Sequence, residues 1–197
     1  MEVLAFLGSP RKGGNSELLL AEVGKGLAAA GATVELHRLC DYVIHPCLGC
    51  GGCDSTGRCV IDDDMSGLLE KLAVAKRVII ASPIYFYGIT AQAKAFVDRT
   101  QALWSRKQLT IREGRWRADE ERAGLLLAVA ASRGPRLFEG ASLTCQYAFD
   151  AMGLGYAGVF GVRGVEVKGA MAKEVEPLRA AFALGQRFGS PGAVAKL

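Results

Sequence analysis

Histidine is scarce in this chain: of 197 residues, only His37 and His45 are histidines. A Ser-His-Asp triad needs a histidine held between its two partners, and the sequence predicts no such arrangement. No pair of carboxylates stands out as an acid–base pair either. We therefore name no catalytic side chain from the sequence.

Long apolar runs are also absent, because no stretch of about 18 uncharged apolar residues occurs. Met1-Glu2 leads directly into an apolar segment, without the basic region or cleavage site of a signal peptide. We therefore expect no membrane-spanning helix, no membrane partner and a cytoplasmic location.

Charge of one sign is not in strong excess, since the net charge is only +4 and lysine and arginine are interleaved with acidic residues. The basic stripe typical of nucleic-acid-binding proteins is missing, so we expect no nucleic-acid partner. Half of the residues are apolar, which is enough for a sizeable core. The length predicts a single domain over 1–197.

Cysteine is what this sequence does have, with four of its six cysteines inside one short C-x2-C-x2-C-x5-C run. These four are Cys47, Cys50, Cys53 and Cys59. In a cytosolic chain such a group indicates metal or redox chemistry rather than disulfides. We expect the other two, Cys40 and Cys145, to be small buried hydrophobic residues.

Three interpretations of the run remain open: an iron–sulfur cluster, a zinc site and a metal-free thiol loop. The x2 spacings let consecutive cysteines reach adjacent irons of one cluster. Structural zinc sites usually join two C-x2–4-C pairs across a longer gap. The spacing therefore favours the iron–sulfur cluster.

Hydrophobic patterning predicts five strands that alternate with five helices. The predicted strands are 2–7, 33–39, 77–81, 124–130 and 154–162, and the predicted helices are 16–30, 65–75, 90–104, 135–152 and 170–188. Nearly continuous apolar strands indicate a parallel α/β sheet with helices on both faces. A cysteine-rich loop, 40–63, follows the second strand, and we expect 105–122 to be an exposed polar excursion.

The loop after the first strand, G-S-P-R-K-G-G-N-S at 8–16, indicates an anion site. Ligands of open parallel sheets bind outside the carboxyl ends of the strands, and a helix N-terminus there offers unpaired N–H groups. Ser9, Arg11, Asn15 and Ser16 add side-chain donors. The loop is neither G-x-G-x-x-G nor G-x4-G-K-[ST]. The alternative interpretation is a glycine-rich turn with an ordinary serine cap.

A second loop, S-P-I-Y-F-Y-G at 82–88, follows the third strand at the same sheet edge. Its proline and aromatic residues can form an apolar shelf, and its backbone amides can hydrogen-bond the polar edge of a planar ring. A cluster that merely caps the core is the alternative. A third loop, 131–135, either touches that ring or its donor, or is an ordinary turn before a helix.

With these motifs and V-I-D-D-D-M at 60–65, the chain resembles the flavodoxin-like NAD(P)H-dependent FMN reductases and, within them, the iron–sulfur flavoproteins. The resemblance covers roughly 1–150. It implies a flavodoxin-like, doubly wound five-stranded parallel sheet in the order 2-1-3-4-5, and it implies FMN. The implied phosphate contacts are Ser9, Arg11, Asn15 and Ser16. The implied ring contacts are Pro83, Ile84, Tyr85, Phe86 and Gly88. The implied ligands of a [4Fe-4S] cluster are Cys47, Cys50, Cys53 and Cys59.

These features together predict an FMN-dependent oxidoreductase that passes electrons from NAD(P)H or a ferredoxin to a small quinone, flavin or oxidant. Family resemblance also implies a homodimer or homotetramer with the flavin near a subunit interface. The alternatives are a metal-free NAD(P)H:FMN or quinone reductase and a non-enzymatic flavodoxin-like electron shuttle.

Overall fold

Five parallel strands form one sheet in the order β2-β1-β3-β4-β5 in the computed structural model, which describes residues 1–192. The strands are β1 (Glu2–Leu7), β2 (Thr33–Arg38), β3 (Arg77–Pro83), β4 (Ala123–Ala130) and β5 (Gly155–Arg163). The predicted fold class and strand order are confirmed. Because the strands are parallel, all of their carboxyl ends lie at one edge of the sheet, where ligands of such sheets bind.

Six α-helices of the described residues cover the two faces of this sheet. They are α1 (Asn15–Ala29), α2 (Met65–Val74), α3 (Ala91–Arg99), α4 (Gln101–Arg112), α5 (Glu139–Ala151) and α6 (Val175–Gly189). Short 3-10 helices occur at Leu39–Asp41 and Ala170–Lys173. Helices α1 and α6 pack on one face, and α2 to α5 supply the core of the other face.

The strands are apolar along their whole length because each strand feeds both cores. In β1, Val3 and Ala5 belong to the core under α1 and α6, whereas Leu4 and Phe6 belong to the opposite core. All eight residues of β4 are buried. This is the pattern expected when successive side chains point to opposite, covered faces of a sheet.

One predicted helix, 90–104, is two helices in the structure. The N–H of Thr100 donates to Val97 O at 3.0 Å and its Oγ1 donates to the same carbonyl at 2.7 Å, so α3 ends there and α4 starts afresh. Helix α4 continues to Arg112, and the polar excursion expected over 105–122 is shortened to 113–122. Ser105, at the start of the expected excursion, is buried rather than exposed, with its Oγ 3.4 Å from Cys53 Sγ.

Two further helix starts differ from the predictions. Helix α5 begins at Glu139, not at Pro135, because 135–138 form turns. The last predicted helix is interrupted at Glu174, whose ψ of 78° is not helical. Pro177 is then the third residue of α6, where a missing N–H leaves no helical hydrogen bond unmade. Across residues 1–192, none of the helices has the length and apolar character that crossing a membrane requires.

Candidate functional site

The loop after β1 is hydrogen-bonded to the core at its start, whereas backbone N–H groups at its end are unpaired within residues 1–192. The N–H of Gly8 donates to Ala81 O at 2.8 Å, and Thr90 Oγ1 donates to Gly8 O at 2.7 Å. At the other end, where α1 begins, the N–H groups of Asn15 and Ser16 have no acceptor among the described residues. Unpaired amides at a helix N-terminus form an anion-binding site.

A cavity of about 240 Å³ lies at this edge of the sheet, between the loops that follow β1, β3, β4 and β5. Seven of the nine predicted cofactor residues line it: Ser9, Arg11, Asn15, Ser16, Pro83, Ile84 and Tyr85. The other two, Phe86 and Gly88, do not line it. The two motifs singled out in the sequence therefore meet at one cavity.

The loop after β3 ends in a tight, strained turn. Tyr85 and Gly88 exchange hydrogen bonds of 3.0 and 2.9 Å, and between them Phe86 and Tyr87 have φ angles of 51° and 64°. Such a turn is normally built from glycine or asparagine, and side-chain-bearing residues held in this conformation cluster at functional sites. The N–H groups of Phe86 and Tyr87 have no acceptor within residues 1–192, and the Phe86 side chain is fully exposed.

The third loop, whose role the sequence left open, also reaches the cavity. Ala131 lines it. The Tyr87 hydroxyl lies 3.1 Å from the position that a Cβ on Gly134 would take, so the aromatic loop packs against the third loop. The loops after β3 and β4 therefore form one wall.

Sequence reasoning missed the loop after β5. Val165, Glu166 and Lys168 line the same cavity. Asn15 holds this loop: its Nδ2 donates to Val167 O at 3.0 Å and its Oδ1 accepts from Met171 N at 3.1 Å. The signal that could have found the loop was available, because the rule that ligands bind at strand carboxyl ends applies equally to the fifth strand.

The four clustered cysteines line a second cavity, of about 490 Å³. Cys47 and Cys50 are exposed, whereas Cys53 and Cys59 are partly buried against the core under α2 to α5. Ser105 Oγ lies 3.4 Å from Cys53 Sγ. Across the described part of the chain, no three Cys, His, Asp or Glu side chains are close enough together to hold a metal ion.

A buried ion pair holds both ends of the cysteine loop. Arg99 Nη1 donates to Asp63 Oδ2 at 2.6 Å and to His45 O at 2.9 Å, while Nη2 donates to Asp63 Oδ1 at 3.0 Å and to Ile61 O at 3.2 Å. The two side chains are 0% and 1% exposed. The forked guanidinium therefore joins the segments before and after the cysteines.

Both members of this pair are stabilised in their charged forms. Burial by itself raises the pKa of Asp63, but the hydrogen bonds from Arg99 and His45 N–H and the charge of Arg99 lower that pKa to about 2. Burial likewise lowers the pKa of Arg99, and Asp63 and Cys59 more than offset that effect and raise it. Arg99 Nε is buried without an acceptor among residues 1–192, and Arg99 lines the cysteine cavity.

The aspartate run that follows the cysteines bonds both the start of α2 and the chain before the cysteines. Asp63 Oδ1 accepts from Met65 N at 3.0 Å, at the start of α2. Asp63 Oδ2 also accepts from His45 N at 2.9 Å, and Asp64 Oδ2 accepts from Val43 N at 2.7 Å. These carboxylates therefore tie the chain before the cysteines to the first turn of α2.

The prediction for the two outlying cysteines is half right. Cys145 is fully buried in α5, and burial raises the pKa of its thiol to about 12. Cys40 is exposed, with Sγ 3.8 Å from Ser9 O. The predicted strand that ended in an apolar position at 39 gives way to a 3-10 helix over Leu39–Asp41, which turns Cys40 outward.

Comparison with known proteins matches residues 1–137 to the model of the NADPH-dependent FMN reductase family. An iron-sulfur flavoprotein of Methanocaldococcus jannaschii is 37% identical over 133 residues, which are 68% of this chain and 64% of that protein. An iron-sulfur flavoprotein of Archaeoglobus fulgidus is 34% identical over 167 residues, 85% of this chain and 72% of that protein. The match to the first of these relatives thus spans less than two thirds of its length.

Among solved structures, the NAD(P)H:quinone oxidoreductase of Methanothermobacter marburgensis superposes with a TM-score of 0.64. The superposition covers 94% of this chain and 98% of that one, at 16% sequence identity. At that identity the likeness concerns the fold.

Proposed function

The chain belongs to the NADPH-dependent FMN reductase family, and we propose that it is an FMN-dependent oxidoreductase that takes electrons from NAD(P)H. The observation that carries the proposal is the convergence of four loops, those after β1, β3, β4 and β5, on one cavity. A phosphate-type loop and an aromatic loop at a single cavity match the two ends of a flavin nucleotide.

The residues at the phosphate end fit the anionic group of FMN. The free N–H groups of Asn15 and Ser16 lie at the positive end of the α1 dipole. Arg11 lines the cavity and forms no ion pair with any described carboxylate. Ser9 and Ser16 are buried there. These groups would bind and orient the phosphate.

At the ring end, Pro83, Ile84 and Tyr85 form an apolar wall that would exclude water from one side of the flavin. The unpaired N–H groups of Phe86 and Tyr87 are available to the polar edge of the ring. When bound, FMN accepts electrons from a reduced nicotinamide and passes them on in pairs or singly, and the protein contributes binding, orientation and electrostatics.

We further propose that Cys47, Cys50, Cys53 and Cys59 hold a [4Fe-4S] cluster. The chemistry of the donor set suits a cluster, because four thiols line one cavity and a buried cation, Arg99, lines it too, although within residues 1–192 no three of these thiols converge as the ligands of a single metal ion would. The cluster supplies single-electron transfer when bound. Arg99 and Asp63 fix the two ends of the loop that carries the four thiols.

The position of helix α3 supports electron exchange between the groups proposed for the two cavities. Thr90, immediately before α3, bonds the phosphate loop at Gly8, and Arg99, its last residue, lies at the cysteine cavity. The nine residues of the helix span about 13 Å. The two proposed redox groups would therefore be close neighbours.

The wider partners follow from the same proposal. We propose NAD(P)H or a ferredoxin as the donor and a small quinone, flavin or oxidant as the acceptor. A homodimer or homotetramer is supported by the fully exposed Phe86 beside the flavin cavity, because a second copy would cover this side chain.

The test is purification under argon, followed by an absorbance spectrum and assays of FMN, iron and acid-labile sulfide per chain. We expect bound or bindable FMN and about four irons per chain. Absence of FMN binding would contradict the whole proposal. A chain with FMN but without iron would leave the metal-free reductase, which is favoured by the lack of a converged ligand group within residues 1–192.

Steady-state turnover separates the reductase from a shuttle. The purified protein should oxidise NAD(P)H continuously with a quinone or free flavin as acceptor. A non-enzymatic electron shuttle would show no turnover until a partner reductase is added. The matched control is the variant with Cys47, Cys50, Cys53 and Cys59 all changed to Ser, in which a flavin-only reaction would persist.

A further inference from the structure

We propose that Lys168, in the loop after β5, is a second cationic contact for the flavin phosphate, and that Asn15 is the positioning residue that holds Lys168 there. The inference rests on the proposed FMN site and deepens it. It predicts that the protein discriminates FMN from riboflavin partly through a residue far outside the phosphate loop.

The first observation is the use of the Asn15 amide. Its Nδ2 donates to Val167 O at 3.0 Å and, more weakly, to Val165 O at 3.5 Å, and its Oδ1 accepts from Met171 N at 3.1 Å. Every polar atom of this side chain is thus engaged by the loop after β5. What Asn15 offers a phosphate is its backbone N–H, while its side chain fastens a loop about 150 residues further along the chain.

The same loop is anchored to the sheet on its other side. Val165 N donates to Ala130 O at 3.0 Å, and Gly164 N donates to Ser132 O at 3.3 Å. The segment from Gly164 to Met171 is therefore tied both to the end of β4 and to the start of α1. The segment therefore lies beside the loop after β1, to which the Asn15 side chain bonds it.

Lys168 is the cation that this arrangement delivers. It lines the cavity together with Arg11 and Ser16, and its Cε lies 3.9 Å from the position that a Cβ on Gly13 would take. No ion pair within residues 1–192 engages Lys168, whereas Arg38, which does not line the cavity, is paired with Glu17 at 2.6 Å. An unpaired ammonium beside free helix amides suits a phosphate.

An acidic residue also lines this cavity and provides a second test. Glu166 also lines it, and a carboxylate at this place repels a phosphate. If charge at this loop governs phosphate binding, Lys168 and Glu166 must act with opposite signs. Glu166→Gln should then tighten FMN binding, and Lys168→Gln should weaken it.

The experiment titrates the flavin-free protein with FMN and, separately, with riboflavin, which lacks the phosphate, and follows flavin fluorescence. For Lys168→Gln we expect the Kd for FMN to rise about tenfold, as the loss of one hydrogen bond to a charged group implies. The Kd for riboflavin should stay within about twofold of that of the unaltered chain. The matched control is Lys173→Gln, an exposed lysine that does not line the cavity, which should change neither Kd.

Two results would overturn the inference while leaving FMN binding in place. One is an unchanged FMN affinity in Lys168→Gln, and the other is an equal loss of FMN and riboflavin affinity in a variant whose thermal unfolding matches that of the unaltered chain. Failure of the unaltered chain to bind FMN at all would instead contradict the proposed function, and this inference with it.

A double-mutant cycle tests the role of Asn15. If Asn15 acts through Lys168, Asn15→Ala should weaken FMN binding in the unaltered background and have little further effect in Lys168→Gln. If the Asn15 side chain contacted the phosphate independently, the two losses would add. The FMN-to-riboflavin ratio is the readout, because a general loss of stability would not change that ratio.

Discussion

A single arginine organises the cysteine loop at the scale of residues. Arg99 contacts Asp63 and two backbone carbonyls, those of His45 and Ile61, and is almost completely buried. A buried cation of this kind depends on its counterion, because removing one partner leaves an uncompensated charge inside the protein. The ion pair of Arg99 and Asp63 therefore stabilises both the cysteine loop and the fold.

The first prediction concerns Asp63→Asn. We expect this change to lower the free energy of unfolding by about 3–5 kcal/mol, since it leaves Arg99 charged, buried and without its carboxylate. Urea unfolding followed by circular dichroism measures it. Asp62→Asn is the matched control, because Asp62 is exposed and should shift stability by no more than about 0.5 kcal/mol. Equal midpoints for the two variants would contradict the argument.

The second prediction is the acid sensitivity of the same pair. The pKa of Asp63 is about 2 in the folded protein, below the ordinary value of 3.8. A lowered pKa stabilises the fold above the ordinary value, and this contribution disappears as the pH falls from about 4 to about 2. It corresponds to roughly 2 kcal/mol.

The measurement compares unfolding of the unaltered chain with that of Asp63→Asn at several pH values between 6 and 2. The difference in free energy of unfolding between the two proteins should narrow by roughly 2 kcal/mol below pH 4. The unaltered chain loses stability as Asp63 takes up a proton, whereas the asparagine has no proton to take up. A difference that stays constant down to pH 2 would show that Asp63 titrates normally.

Glycine contacts dominate the packing of one helix pair at the scale of elements. A Cβ on Gly26 of α1 would lie 2.0 Å from Phe182 O, and one on Gly185 of α6 would lie 2.1 Å from Val23 O. The two helices therefore approach backbone to backbone. This close approach completes the core beneath β1 and β3, on which the phosphate loop is mounted.

The third prediction is that Gly26→Ala destabilises the protein by about 1–3 kcal/mol or more, because the obstructing atoms belong to the backbone and cannot rotate away. Gly67→Ala in α2 is the control, since nothing lies within 4 Å of its added methyl group. That change should instead stabilise by about 0.5–1 kcal/mol through helix propensity. Thermal unfolding compares them, and a Gly26→Ala protein as stable as Gly67→Ala would refute the close contact.

The strands could be predicted from the sequence because a doubly covered parallel strand leaves a nearly unbroken apolar run, such as 125–130. Their order was implied by the family resemblance and not by the apolar pattern. Helix limits were less predictable. The break at Thr100 depends on a side-chain bond to Val97 O, and the late start of α5 depends on the turns at 135–138, neither of which changes the hydrophobic pattern.

The candidate site was likewise predictable from the sequence only in part. The loops after β1 and β3 could be found because motif and topology agree on one sheet edge. The same topological rule could have found the loop after β5. It could not have found the roles of Lys168 and Arg99, because these depend on contacts between distant parts of the chain, from Asn15 to Met171 and from Asp63 to Arg99. Such pairings leave no periodicity in a single sequence.

At the scale of the whole molecule, the two cavities are lined by different residues, and helix α3 runs between them. The cavity proposed for FMN is lined by the loops after β1, β3, β4 and β5, and the cysteine cavity by the loop after β2 and by Asp98, Arg99, Gln101 and Ala102. No lining residue is shared between these two sets. Loss of the thiols should therefore leave the flavin site intact, although α3 connects the two.

The fourth prediction follows from that separation. With Cys47, Cys50, Cys53 and Cys59 all changed to Ser, the protein should lose the proposed cluster but still be stabilised by FMN, by about 2.7 kcal/mol when free FMN is 100 times its Kd. Thermal unfolding with and without FMN measures this in the variant and in the unaltered chain. Riboflavin at the same concentration is the control for the phosphate contribution. If the four-serine variant gained no stability from FMN, the cysteine loop would have to support the flavin site, and the two cavities would form one cooperative unit.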